Sequence, residues 1–204
     1  MKRLNFIVAV FYLIFLLSSF VSAVGITPAY FKIDFEPNLK RVFSFSIYGD
    51  GDYGFDIVKD GDLAEYGELS TKRIEGTGGN FNVLLQLPSE LKTPGTHRLI
   101  VGGIETPPTT AGFSVKAGIR AVIFVEVPYP GQYAEGEFSI NNANAGEPAQ
   151  YYLQINNKGK EGINAVSAIN IYEENGKLAG NFPLGLIYID PQTSKKLDGT
   201  LDTT

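Results

Sequence analysis

The sequence predicts an all-β protein made of two tandem antiparallel sandwiches behind an N-terminal export signal. Three observations predict it. Short apolar segments alternate with polar residues at roughly 8–12-residue spacing. Gly, Pro, Asn and Asp cluster between them as turn residues. No 11-residue window has a convincing helical period. The stretch Ala117–Gly136, AGIRAVIFVEVPYPGQYAEG, organises the rest: a strand at Ile119–Val127, then a joint stiffened by Pro128 and Pro130.

The chain opens with Lys2 and Arg3, an apolar run from Phe6 to Leu17, and small residues at Val21-Ser22-Ala23. That is the anatomy of a secretory signal peptide cleaved after Ala23, so residues 1–23 are expected to be removed and the mature chain to start at Val24. The competing reading is a retained signal anchor. The apolar core of about 12 residues falls short of the roughly 20 that a spanning helix needs, which favours cleavage. The formal net charge of the chain is −5, and losing Lys2 and Arg3 makes it more negative. An acidic chain without basic clusters is a poor ligand for nucleic acid or for anionic lipid surfaces. There is no cysteine, so disulfides, thiolate metal sites and thiol chemistry are excluded. An exported chain of this kind must be held by its own apolar core.

In order, Ile26–Phe35 alternates loosely and carries Pro28, which demotes it to an edge or a bulge. Arg41–Tyr48 is the clearest strand, with Phe43, Phe45 and Ile47 on one face and Val42, Ser44, Ser46 and Tyr48 on the other. Phe55–Val58 is a short strand, and Asp60-Gly61 is a hairpin signal. Leu63–Leu69 is poorly patterned, with at most one helical turn at its end. Phe81–Leu87 and His97–Val101 are strands, and Glu105–Gly118 is a long loop. Beyond the joint, Glu137–Asn141, Ala149–Ile155, Val166–Tyr172, Leu186–Ile189 and Ser194–Leu201 read as strands. Asn175-Gly176 is the strongest hairpin dipeptide.

Strand number and spacing make the sandwiches immunoglobulin-like, which needs about seven strands in about 100 residues. The expected domains are 24–128 and 129–204. Five or six strands after Tyr133 make the second read as incomplete, with a natural chain expected to continue beyond Thr204.

No catalytic constellation emerges, and no cofactor is expected. Gly49–Gly54 matches G-x-G-x-x-G, but the residues that follow read as a strand rather than the helix a dinucleotide site needs. Asp50, Asp52 and Asp56 do not have the spacing of a calcium loop, so turn chemistry explains them. His97 is the single histidine, with no serine to pair it with. Tyr129, Tyr133, Tyr151 and Tyr152 near the joint are candidates for a sugar-stacking platform.

The joint VPYPGQYAE, the run Asn144-Ala145-Gly146-Glu147-Pro148, the strand and turn through Asn157-Lys158-Gly159, and the opening Gly25-Ile26-Thr27-Pro28 carry a resemblance. The chain resembles uncharacterised archaeal surface proteins with tandem immunoglobulin-like domains. That implies a non-enzymatic structural or adhesive role outside the cell. The implied partners are other surface proteins or cell-envelope polymers, and tethering would come through a C-terminal membrane segment this sequence lacks. The long loop before the organising strand and the proline joint also resemble periplasmic pilus chaperones, more distantly. That likeness implies a strand offered to a partner polypeptide, with Lys32, Lys116 or Arg120 holding the partner's terminal carboxylate.

Overall fold

Alternation in KRVFSFSIY places Phe43, Phe45 and Ile47 on one side of an extended chain, and in the computed structural model all three are buried. The structure describes residues 24–49, 53–106, 116–144 and 146–202. The N-terminal signal expected at 1–23 lies outside the described residues, as do Asp50, Asp52 and most of the loop before the organising strand. The chain divides into two compact units, one drawn from Met1–Glu90 and His97–Val125, the other from Leu91–Thr96 and Glu126–Thr204.

The first unit is a two-layer sandwich. Its strands in chain order are β1 (Gly25–Thr27), β2 (Tyr30–Asp34), β3 (Lys40–Tyr48), β4 (Phe55–Asp60), β5 (Gly67–Leu69), β6 (Arg73–Ile74), β7 (Gly78–Gln86), β8 (Gly95–Glu105) and β9 (Gly118–Val127). One sheet has the order β1-β3-β7-β5, the other β2-β9-β8-β4-β6. This is the immunoglobulin-like arrangement, four strands facing a sheet built round the last strands of the domain. In the first sheet β3 and β7 run antiparallel, with Phe45 opposite Phe81 and Phe43 opposite Val83. The Phe45 and Phe81 rings stack at 5.4 Å.

Three contacts bring the layers together. Phe31 points inward from β2, its ring 4.9 Å from Phe43 and 5.4 Å from Phe45. A Cβ on Gly103 of β8 would come within 2.3 Å of Ile47 Cδ1 and 3.1 Å of Phe55 Cβ, so the layers close on the missing side chain. Leu99 in turn fills the space left by Gly67. Ala121, Ile123 and Val125 of β9 complete the core, all buried. Each large apolar side chain withdrawn from water contributes about 1.5–3 kcal/mol, which is what must stand in for absent disulfides.

Both ends of the layers use segments that change sheet. The chain leaves β1 on one sheet and enters β2 on the other across Pro28 and Ala29. It likewise leaves β5 on the first sheet and enters β6 on the second. The region read as Leu63–Leu69 resolves into a 3-10 turn at Ala64–Tyr66 followed by β5. Asp60-Gly61 is not a simple hairpin. Gly61 has φ +96°, the Asp60 carboxylate caps its N–H at 2.7 Å, and the chain goes on into the 3-10 turn.

The second unit packs a three-stranded sheet, β10-β11-β14, on a two-stranded one, β12-β13. The strands are β10 (Ala134–Ile140), β11 (Ala149–Asn157), β12 (Ile163–Tyr172), β13 (Leu178–Ile189) and β14 (Ser194–Leu201). Its core is two small clusters: Ala149, Ile169 and Leu201, with Tyr151, Ile171, Phe182 and Leu184 against them, and Ile155, Ile163 and Ile189, with Leu153, Ala165 and Ile187. Asn157, buried at the end of β11, fixes the crossing between layers. Its Nδ2 donates to the carbonyls of Glu161 (2.8 Å), Ile189 and Asp190 (both 3.1 Å), and its Oδ1 accepts from the Gly159 N–H at 3.0 Å. An unpaired buried amide costs about 1–3 kcal/mol, so this full set of partners is what makes a polar core residue tolerable here. The Asn175-Gly176 turn closes β12 on β13, with Gly176 at φ +84°.

The organising strand separates its two faces. In β9 the odd-numbered residues point into the core, while Val122 and Phe124 lie half-buried on the other side. Ile123→Ala should therefore cost unit 1 about 2–5 kcal/mol. Phe124→Ala, which removes a half-exposed ring, should cost roughly half of that or less. Urea melts of the two variants of the full chain check this. Equal, severe losses would mean that β9 is buried on both faces.

Candidate functional site

β2 has five residues and β9 has ten, so the edge strand can pair with only about half of its neighbour. The Glu105 N–H donates to the Ala117 carbonyl at 2.8 Å and the Val122 N–H to the Ala29 carbonyl at 3.1 Å. Odd-numbered β9 backbone groups thus face β8 and even-numbered ones face β2, because successive residues of a strand point to opposite edges. Part of the even-numbered row extends past β2. An uncovered strand edge is a template for another strand.

The outward face of the same sheet lies beside that edge. Tyr30 of β2 meets Phe124 of β9 edge to face at 6.3 Å, and the Arg98 guanidinium of β8 lies 5.9 Å over the Phe124 ring. Val122, Ile100 and Val58 continue the face and are half-buried. Gly102 sets the spacing of β8 and β9. A Cβ there would fall 2.1 Å from the Ile119 carbonyl oxygen and 2.9 Å from Arg120 Cα, so no side chain fits. Across this gap Arg120 reaches Asp60 on β4, with Nη1 3.6 Å from Oδ2.

The three basic residues singled out from the sequence do not form one cluster. Lys32 and Arg120 are exposed on the neighbouring strands β2 and β9, on the face that carries Tyr30 and Phe124. Lys116 precedes β9, and its charge acts on Asp56, four residues before Asp60 on β4 and so apart from the Arg120–Asp60 pair. Asp56 accepts from the Thr106 hydroxyl at 2.9 Å and from Arg73 Nη1 at 2.8 Å. Those two hydrogen bonds, Thr106 first, hold its carboxyl below the usual carboxylate range.

His97 is engaged by Asp62, with Nδ1 2.5 Å from Oδ2. Burial works against the charge of Asp62, but hydrogen bonds from the Arg98 N–H and from the His97 ring outweigh it and keep the carboxyl low. The Gly49–Gly54 stretch leads into β4, a strand and not a helix, as a turn reading requires. Among the described residues no three His, Cys, Asp or Glu side chains gather in a metal-binding arrangement.

The four tyrosines near the joint do not form a row. Tyr129 and Tyr133 stack on each other at 3.8 Å, Tyr151 packs into the unit 2 core, and Tyr152 faces outward. Tyr152 donates to Glu137 Oε1 at 2.7 Å, and Lys196 Nζ lies 5.0 Å over its ring. Tyr151 and Tyr152 are successive strand residues and so point to opposite faces, which the sequence reading overlooked. Sequence reasoning also missed Asn157, which it took for a turn residue. The fact that Asn157 ends an apolar strand was the available signal.

No family model matches the chain, and no curated protein matches it. Among solved structures it is similar to the Escherichia coli chaperone DraB, at 13% identity and TM-score 0.38 over 85% of this chain and 83% of that one. It is also similar to a structure of the Salmonella enterica SafA pilin with the SafB chaperone, at 10% identity and TM-score 0.39 over 91% and 86%. A third is the Yersinia pseudotuberculosis adhesin InvE, at 12% identity and TM-score 0.25, over 89% of this chain and 51% of that one. At such TM-scores the likeness carries no functional information.

The lowered carboxyls fix a pH dependence. A carboxyl with a folded pKa below its unfolded value near 4 contributes stability above that value, and the contribution is lost as pH falls through the folded pKa. Asp56 and Asp62 are both of this kind. The melting temperature of unit 1 should hold from neutral pH to about 5 and fall below about 4. Asp62→Asn should start lower at neutral pH and fall less steeply on acidification. Parallel curves for the two proteins, followed by circular dichroism, would contradict this.

Proposed function

We propose that this protein is an extracytoplasmic, non-enzymatic binding protein that holds an extended segment of another surface polypeptide against β9. One observation carries the reading: the β9 edge outruns β2 beside an outward face of Tyr30, Val122 and Phe124. A strand added there gains main-chain hydrogen bonds from the edge, and its alternate side chains lie on the apolar face. Lys32 and Arg120 supply positive charge on that face for a carboxylate, with Asp60 as the group Arg120 must leave. The signal-like start of the chain supports the compartment.

A structural or adhesive role on envelope polymers is the second reading. It is supported by a shallow groove of about 510 Å³ on the outer face of the three-stranded sheet. Polar residues line it, including Ser139, Asn141, Gln150 and Asp198, together with Tyr152.

The test is a titration of the isotope-labelled full chain with a 15-residue peptide of alternating apolar and polar residues and a free C-terminal carboxylate. Amide shifts should change along Gly118–Val127 and Tyr30–Asp34. Amidating the peptide's C-terminus, or introducing Lys32→Glu with Arg120→Glu, should weaken binding about tenfold, the equivalent of about 1.4 kcal/mol. Unchanged β9 shifts at millimolar peptide would count against the strand-holding reading, and binding of a neutral oligosaccharide at the Tyr152 face would favour the adhesive one.

A further inference from the structure

The pleat sets what the first sheet of unit 1 turns outward. Phe43, Phe45 and Ile47 of β3 and Phe81 and Val83 of β7 fill the core, so the residues between them point the other way. Ladder register arranges these in rows: Gly25, Tyr48 and Gly78, then Thr27, Ser46 and Asn80, then Ser44 and Asn82. Successive rows on one face are about 6.6–6.8 Å apart. Every side chain in the three rows is a phenol, a hydroxyl or an amide, and none is charged.

Tyr48 lies between two glycines. A Cβ on Gly25 would fall 2.1 Å from Tyr48 Cζ, 2.3 Å from Oη and 2.4 Å from Cε2. A point so nearly equidistant from three bonded atoms of the phenol sits over the face of the ring and not off its edge. The phenol therefore lies flat on the Gly25 backbone. Its other face is turned to solvent, and the residue is 55% exposed. Across the ladder on the other side, Gly78 adds no side chain beside it. Covering a glycine in this way steadies a short edge strand, but it uses one face of the ring only. Two other tyrosines on outward faces have their rings engaged: Tyr30 meets Phe124, and Lys196 lies over Tyr152. Tyr48 has no such neighbour among the described residues. One row on, Ser46 Oγ donates to Asn80 Oδ1 at 2.6 Å. That bond orients the exposed amide and keeps its two N–H donors for a ligand.

We propose that this face is a binding site for a neutral saccharide, a chain of β-linked pyranoses with equatorial hydroxyls. Such a sugar presents a flat C–H face, and the negative face of an aromatic ring attracts weakly positive C–H groups. Thr27, Ser44, Asn80 and Asn82 supply the donors and acceptors that sugar hydroxyls need. A charged polymer would find no complementary charge in these rows. A polypeptide fits less well. β3 lies between β1 and β7, and β7 between β3 and β5, so neither has an unpaired edge to offer a strand. Tyr48 is also the single large apolar body in the three rows. The site is separate from the β9 edge and from the groove beside Tyr152, and it stands or falls independently of both.

The probes are cellohexaose and N-acetylated chitohexaose, titrated into the isotope-labelled full chain. With at least one of them, the Tyr48 ring and Asn80 side-chain amide resonances should shift while the amides of Gly118–Val127 stay in place. Tyr48→Ala should weaken binding at least about tenfold. That variant also uncovers Gly25 and loosens β1, so Asn80→Ala, at an exposed position, is the second one. It should keep the parent's melting temperature and still lose about threefold or more in affinity. Four results would overturn the proposal. One is no shift at Tyr48 or Asn80 with either sugar at millimolar concentration, in which case the ring does no more than cover Gly25. The second is shifts at Tyr152 alone, and the third is Asn80→Ala binding as tightly as the parent. The fourth is shifts on this face with a peptide of alternating apolar and polar residues but not with sugar, which would give the face to a polypeptide.

Discussion

The contact of Phe31 with Phe43 and Phe45 decides how β2 sits, and the β9 edge depends on β2. β2 is five residues long and is an edge strand. It turns Phe31 and Ile33 inward, and the Phe31 ring wedges between the two phenylalanines of the opposite sheet, at 4.9 and 5.4 Å. Aromatic pairs at such separations add about 0.5–1.5 kcal/mol beyond the area they bury. With that wedge in place, Tyr30 is turned outward against Phe124 and the Ala29 carbonyl takes the Val122 N–H. The strand is fixed there but too short to cover its neighbour. A stable core and a partly open edge therefore follow from the same few residues.

The two units handle their edges differently. In unit 1 the switching segments β1–β2 and β5–β6 supply short outer strands to both sheets, and short strands make poor templates. Unit 2 has no such segments among the described residues. It uses charge on β10 and β14 and irregularity on β13 instead. Its core is two small clusters, and the Asn157 amide ties the end of β11 to the end of β13 beside them. A chain without cysteine has no covalent substitute for either arrangement.

Much of the fold could be read in the sequence where one face is buried. Arg41–Tyr48 alternates because one side meets a core and the other does not, and period 2 is what a half-buried strand imposes. Ile119–Val127 reads as a strand although Ala121–Val125 is apolar throughout, and its two faces separate only by burial in the structure. β13 was read only at its end, Leu186–Ile189, because Gly180, Pro183 and Gly185 interrupt the pattern of a strand that runs from Leu178. The two-residue β6 is too short to leave a pattern at all. The site was less legible. Residue type pointed to Lys32, Lys116 and Arg120, but their grouping depends on strand order and on the side-chain-free gap at Gly102, which periodicity does not encode.

Residue-resolved amide hydrogen exchange of the free protein tests the central claim, that β2 leaves part of the β9 edge open. Odd-numbered amides from Ile119 to Val125 bond toward β8 and should exchange only through global unfolding. Val122 should be protected by the Ala29 carbonyl. Of Arg120 and Phe124, which flank it on the β2 side, one should exchange at least about a hundredfold faster than its odd-numbered neighbours. If both are as slow as Ile123, the edge is fully covered and the account of how this protein holds a partner is wrong.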